Sequence, residues 1–142
     1  MAIATYEGNE PYIFFSYAHK DSDVVLPIIE ALANNGFRVW YDAGVNAGDC
    51  YVDELAERIS RSAVVVVFLS KAWMQSKLCY DEIRFALAEK KQVISVYIED
   101  VVLTPGMKMR LSTTQALFGN RKPYEVFLQE LIEACARALD RS

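Results

Sequence analysis

Apolar positions along the chain alternate between two spacings. Tyr12-Ile13-Phe14-Phe15-Ser16 is a compact aromatic and β-branched run of strand character. From Ser22 onward Val25, Ile28, Ile29 and Leu32 recur at helical spacing, and Asn35-Gly36 supplies a left-handed stop. Pro27 falls inside this stretch, where proline is tolerable only in a first turn. Phe37 to Tyr41 predicts a second strand, and Asp42 to Gly48, with glycines at 44 and 48, a loop. Asp49 can cap a helix that carries Val52, Leu55 and Ile59 on one face. Ala63 to Leu69 shows no polar alternation, so both of its faces must be covered, as in a central parallel strand. A helix with Cys79, Ile83, Ala86 and Leu87 inward follows, then a fourth strand from Val93 to Ile98. Glu99 to Ser112, broken by Pro105-Gly106, reads as an irregular connection with room for one short helix, and Thr113 to Phe118 as a weaker fifth strand. The chain closes on an amphipathic helix whose apolar stripe is Tyr124, Phe127, Leu128, Leu131, Ile132, Cys135 and Leu139.

Five strands alternating with helices imply an α/β domain with a parallel sheet, because parallel neighbours need long right-handed crossovers. For this size the expected fold is the flavodoxin-like doubly wound arrangement, strand order 2-1-3-4-5, with helices on both faces. Ligands of such sheets bind where the winding reverses, at the carboxyl ends of strands one and three. That places the expected site between Ser16 to Asp21 and Ser70 to Glu82. Residues 1–10 lack periodicity and read as a tail; 11–142 read as one domain.

Composition narrows the function. A chain of 142 residues, 53% hydrophobic and 24% charged, has the make-up of one globular domain. Its longest apolar run, Ala63 to Leu69, is far shorter than the ~20 residues of a membrane span, and the first residues do not form a secretory signal. A cytoplasmic location without membrane contact is expected. Cys50, Cys79 and Cys135 are odd in number and unpaired in spacing, which fits a reducing compartment and no structural metal. The net charge of −4 leaves no basic stripe for nucleic acid.

Several chemistries compete for the switch-point loops. A phosphoacceptor receiver would need an aspartate closing strand three, which instead ends Phe68-Leu69-Ser70. A flavin or dinucleotide cradle would need glycines after strand one, and Ser16 to Asp21 has none. His19 in a polar loop reads as a solvated side chain, and Cys79 on an inward helical face as a small buried hydrophobe. Trp40 and Trp73 read as packing residues, Trp73 falling just beyond strand three at the expected crevice.

Three ordered segments carry a resemblance. Ile13-Phe14-Phe15-Ser16-Tyr17 with Asp21, Gly36-Phe37-Arg38-Val39-Trp40-Tyr41-Asp42 with Gly48-Asp49, and Leu69-Ser70-Lys71-Ala72-Trp73 with Ser76-Lys77-Leu78-Cys79-Tyr80-Asp81-Glu82 resemble successive hallmarks of the TIR (Toll/interleukin-1 receptor) domain, prokaryotic branch. The resemblance implies a glycohydrolase that cleaves NAD⁺ to nicotinamide and ADP-ribose or a cyclised form, with NAD⁺ as substrate and no further cofactor. It assigns catalysis to Glu82 in the Ser-x-x-Cys-x-x-Glu segment and substrate contact to Ser16, Tyr17, Asp42, Trp73, Ser76, Leu78 and Cys79. One preorganised carboxylate suffices for this chemistry, because nicotinamide leaves without acid help and the ribose becomes the cation. The loop Asp42 to Cys50, with Gly44, Val45, Gly48 and Asp49, would mediate assembly with further TIR domains. The resemblance also implies a fused or associated sensor domain and a role in bacterial antiviral defence. Many members carry tryptophan where this chain has Leu78, leaving Trp73, Tyr17 or Tyr80 to stack on the nicotinamide ring. The alternative within the same resemblance is a non-catalytic interaction module working through homotypic TIR contacts, for which Glu82 would be incidental.

Overall fold

A computed structural model describes residues 5–42 and 49–140, the side chains of 49–51 excepted. Strands β1 (Ile13–Ser16), β2 (Val39–Tyr41), β3 (Val64–Leu69), β4 (Gln92–Tyr97) and β5 (Gln115–Phe118) form one sheet in the order β2-β1-β3-β4-β5. Every pairing is parallel: Phe14 lies opposite Trp40 on one side and Val65 on the other, and Val66 lies opposite Ile94. This is the expected doubly wound topology.

The helices are α1 (Ser22–Asn34), α2 (Asp49–Arg61), α3 (Lys71–Met74), α4 (Lys77–Ala88), α5 (Pro105–Leu111) and α6 (Tyr124–Asp140). They divide between the two sheet faces. Val64, Val66 and Phe68 of β3 pack with Val25, Ile29 and Leu32 of α1 and Leu131 and Cys135 of α6. The intervening Val65, Val67 and Leu69 pack with Leu55 and Ile59 of α2, Trp73 of α3, Ile83 of α4 and Met107 of α5. All six β3 residues are fully buried, which is why the strand lacks polar alternation.

Several local expectations are corrected. Pro27 sits inside α1, beyond its first turn. Pro27 and Asp23, whose carbonyl loses its helical partner there, both face solvent, so water can replace the missing N–H. Phe37 does not begin β2: its N–H returns to the Leu32 carbonyl at 3.2 Å, after Gly36 has turned the chain at φ +92°. Val52, expected on the buried face of α2, is 52% exposed. Thr114 leaves β5 because its N–H closes α5 on the Leu111 carbonyl at 3.1 Å. The short helix expected after Glu99 is α5, with Pro105 in its first turn and Thr104 Oγ1 accepting the Met107 N–H at 3.2 Å. Residues 5–10, read as a tail, are anchored: the Tyr6 N–H bonds the Val39 carbonyl on the outer edge of β2, and Glu7 pairs with Arg58.

Candidate active site

The sheet order sends the chain away in opposite directions after β1 and β3, opening a crevice of about 320 Å³ at their carboxyl ends. Tyr17, His19 and Lys20 line it from the turn after β1, Asp42 from the end of β2, and Ser76, Leu78, Cys79 and Glu82 from α4 and its cap. The crevice thus opens between the two loops in which the site is expected.

Ser76 begins α4, its Oγ accepting the Cys79 N–H at 3.2 Å. From that start Cys79, Glu82, Ile83 and Ala86 recur at helical spacing on the buried face. Glu82 thus belongs to the inward face itself, beside the Cys79, Ile83 and Ala86 expected there from sequence. It is 7% exposed, and the Ser16 hydroxyl, at the last position of β1, donates to its Oε1 at 2.7 Å. Burial pushes the Glu82 carboxyl from its ordinary 4.5 up to about 8; the Ser16 hydrogen bond opposes the rise, and Asp42 and Asp81 add to it.

The opposite lip is tied together by polar contacts. Tyr17 Oη donates to the Asp42 carbonyl at 3.0 Å, and His19 Nε2 lies 3.4 Å from Asp42 Oδ2. The edge of the Tyr17 ring meets His19. Burial pushes the Tyr17 phenol up to about 12, so it stays a neutral hydrogen-bond donor. The Cys79 thiol, raised to about 12 chiefly by burial, also keeps its proton, so it offers volume at the crevice floor and no nucleophile.

Trp73 departs from its expected placement. It is completely buried and absent from the crevice lining, so its ring is not available to stack on a ligand. Its Nε1–H instead donates to Ser16 Oγ at 3.2 Å, behind Glu82. Leu78 is half-buried on a rim shared by the crevice and an apolar groove between α2 and α4, bordered by Val52, Leu55 and Phe85. Gly44, Val45, Gly48 and the side chain of Asp49 lie outside the described residues; the backbone of Asp49 opens α2.

Lys20 and Gln75 line the crevice without having been assigned a role from sequence. Their only signal was position, one in each switch-point loop, and polar loop residues rarely stand out by type. The short helix α3 was missed as well; its mark was Ser70, whose Oγ accepts the Trp73 N–H at 2.9 Å as an N-cap and donates to Asp21 at 2.5 Å.

A doubly wound parallel sheet with a buried carboxyl at its switch-point crevice defines the class. Within it the chain belongs to the TIR domain family, whose model matches residues 13–132. A Bacteroides thetaiotaomicron protein named 2' cyclic ADP-D-ribose synthase BtTIR is 35% identical over 80 residues, covering 51% of this chain. The match spans 28% of that relative's length. The TIR domain of the Toll-related receptor TRR-2 from Hydra magnipapillata superposes with a TM-score of 0.72 at 17% identity, over 86% of this chain and 95% of that one. The Clostridium botulinum CMP N-glycosidase BcmB superposes at 0.65 with 18% identity, over 87% and 98%. No helix among the described residues is long and apolar enough to cross a membrane.

Proposed function

We propose that this domain cleaves the N-glycosidic bond between nicotinamide and ribose in NAD⁺, with Glu82 as the reacting carboxylate. The observation that carries the reading is a buried acid at the switch-point crevice, held by the Ser16 hydroxyl at 2.7 Å and open to the cavity. The C–N bond breaks heterolytically, its electron pair leaving with nicotinamide as a neutral amide. Positive charge develops on the ribose, and the ionised Glu82 stabilises it from a site with little water. Capture of the ribosyl cation by water, with loss of a proton, gives ADP-ribose; capture by a hydroxyl of the adenosine half gives a cyclic product. The B. thetaiotaomicron relative's name supports the cyclic branch. Incubating the purified domain with NAD⁺ and separating nicotinamide, ADP-ribose and cyclised products tests the reading. Nicotinamide release is expected; its complete absence under all assembly conditions leaves the interaction module.

Leu78 offers a second measurement. It lines the crevice at the start of α4, where a larger ring would reach a bound nicotinamide, and stacking contributes ~0.5–1.5 kcal/mol. Leu78→Trp is therefore expected to lower KM for NAD⁺ by roughly two- to tenfold. An unchanged KM would show that the ring is held elsewhere.

In the same reading the domain acts in bacterial defence as part of a larger assembly, with the loop from Asp42 to Cys50 contacting a neighbouring TIR domain. Contacts of that loop with a neighbour would make completion of the site depend on assembly. Turnover per molecule is expected to rise with protein concentration, and Gly48→Pro to depress it without loss of the circular-dichroism spectrum. Constant specific activity across a dilution series, with the variant matching the parent, would mean that one chain completes the site.

A further inference from the structure

We propose that Trp73 is a positioning residue: its indole N–H, given to the Ser16 hydroxyl, aims that hydroxyl's own hydrogen at Glu82 and so sets where the carboxylate sits. The inference rests on the reading of Glu82 as the reacting group, but its physical core can be measured without substrate.

An indole N–H is a donor only, whereas a serine hydroxyl holds one hydrogen and two lone pairs and rotates to suit its neighbours. Ser16 is 1% exposed, so solvent offers it little competition. Trp73 Nε1 lies 3.2 Å from Ser16 Oγ, and Ser16 Oγ lies 2.7 Å from Glu82 Oε1. With one lone pair taken by the indole, the Ser16 hydrogen is directed to the carboxylate, and the two bonds polarise each other in the same sense. A donated hydrogen favours the ionised form of Glu82, the form that the proposed reaction requires.

The indole is itself anchored. It packs against Tyr80 at 5.5 Å between ring centroids and hangs from α3, whose cap Ser70 binds Asp21 on the facing loop. A chain of contacts thus runs from Asp21 through Ser70, Trp73 and Ser16 to Glu82. A phenylalanine would fill most of the same apolar volume, so packing alone does not call for the N–H.

Other groups also face the acid. Asp42 from the end of β2 and Asp81 from α4 hold its proton on, and His19 and Lys20 line the same crevice. Tyr17 and Cys79 lie beside it with their protons retained, and Asp21 is engaged by Ser70. From α2, the described neighbours along the adjoining groove, Val52, Leu55, Ala56 and Ile59, are apolar.

The test compares Trp73→Phe with a protein carrying β-(3-benzothienyl)alanine at 73, an isostere in which sulfur replaces the N–H. The Glu82 carboxyl carbon, assigned by its loss in Glu82→Gln, is titrated by NMR in glutamate-labelled protein without NAD⁺. Both variants are expected to raise the Glu82 midpoint by about half to one pH unit, the effect of weakening one hydrogen bond to a charged group. At pH 7 kcat/KM for nicotinamide release should fall roughly three- to tenfold, with its pH profile displaced upward by the same half to one unit and its high-pH plateau kept. A wild-type titration in the isostere, with Trp73→Phe lowering only the melting temperature, would overturn the proposal and leave Trp73 as packing. A shifted titration in proteins that release no nicotinamide, the parent included, would support the linkage and overturn the proposed activity.

Discussion

Glu82→Gln is expected to abolish nicotinamide release while leaving a protein that resists heat better at alkaline pH. The amide keeps the size of the side chain and its contact with Ser16 but removes the charge opposite the developing ribosyl cation. Loss of one preorganised electrostatic partner costs at least about 100-fold in kcat. The stability change has the opposite sign. In the unfolded chain Glu82 titrates near 4.5, whereas burial raises it to about 8 in the fold. Below about pH 4.5 both states hold the proton and the full stability is present. Between these values only the folded chain holds it, so stability falls as pH rises through 8. Glutamine escapes that loss. The two proteins should melt together near pH 4.5, and at pH 9 the variant should melt roughly 5–10 °C higher, equivalent to a few kcal/mol. Undiminished turnover in a folded variant would remove Glu82 from the chemistry; equal melting at pH 9 would mean that its carboxyl is well solvated.

The second large effect is the pH dependence of kcat/KM, which reports ionisations of the free enzyme. If the reacting form is the carboxylate, only the deprotonated fraction is competent, and that fraction falls tenfold per unit below its midpoint. With Glu82 raised to about 8, kcat/KM should climb approximately 50-fold between pH 6 and 8 and about twofold more before levelling off above pH 9. The dependence of kcat should be shifted to lower pH, because bound nicotinamide carries a positive charge that favours ionised Glu82. A flat profile from pH 6 to 9 would show either that Glu82 is ionised throughout or that a slower step hides it. Single-turnover measurements separate the two, since only the second gives a pH-dependent chemical step.

Much of this architecture was legible from spacing alone. Val64 to Leu69 carry no polar side chain, and a strand of that kind has to be sandwiched between helices; the observed register does this with alternate residues on each face. Val25, Ile28, Ile29 and Leu32 lie on the buried side of α1 as their period requires. The switch-point position of the crevice followed from strand order, which is a matter of connection handedness and not of any one residue.

Element ends and side-chain partners were less legible, because they depend on groups far apart in the chain. Nothing near Phe37 marks its N–H as bound to Leu32, and Pro27 is tolerated only because that side of α1 meets solvent. Val52 follows the helical period of Leu55 and Ile59, yet it lies beside a groove to α4 that leaves it half open. Lys20 had no distinguishing neighbour in sequence, and only folding brought it to the same crevice as Glu82.

The sequence by itself determined the alternation of strands and helices, the parallel sheet and its order, and the presence of Glu82 on a helix that follows β3. These follow from periodicity and burial, which are local in the chain or summed over whole elements. Only the tertiary structure decided that Glu82 is buried enough to hold its proton near neutral pH, that Ser16, 66 residues away, donates to it, and that Trp73 stands behind Ser16 and not in the crevice. Those properties are set by distances of about 3 Å between residues on different elements, and the packing of β1, α3 and α4 against one another creates them.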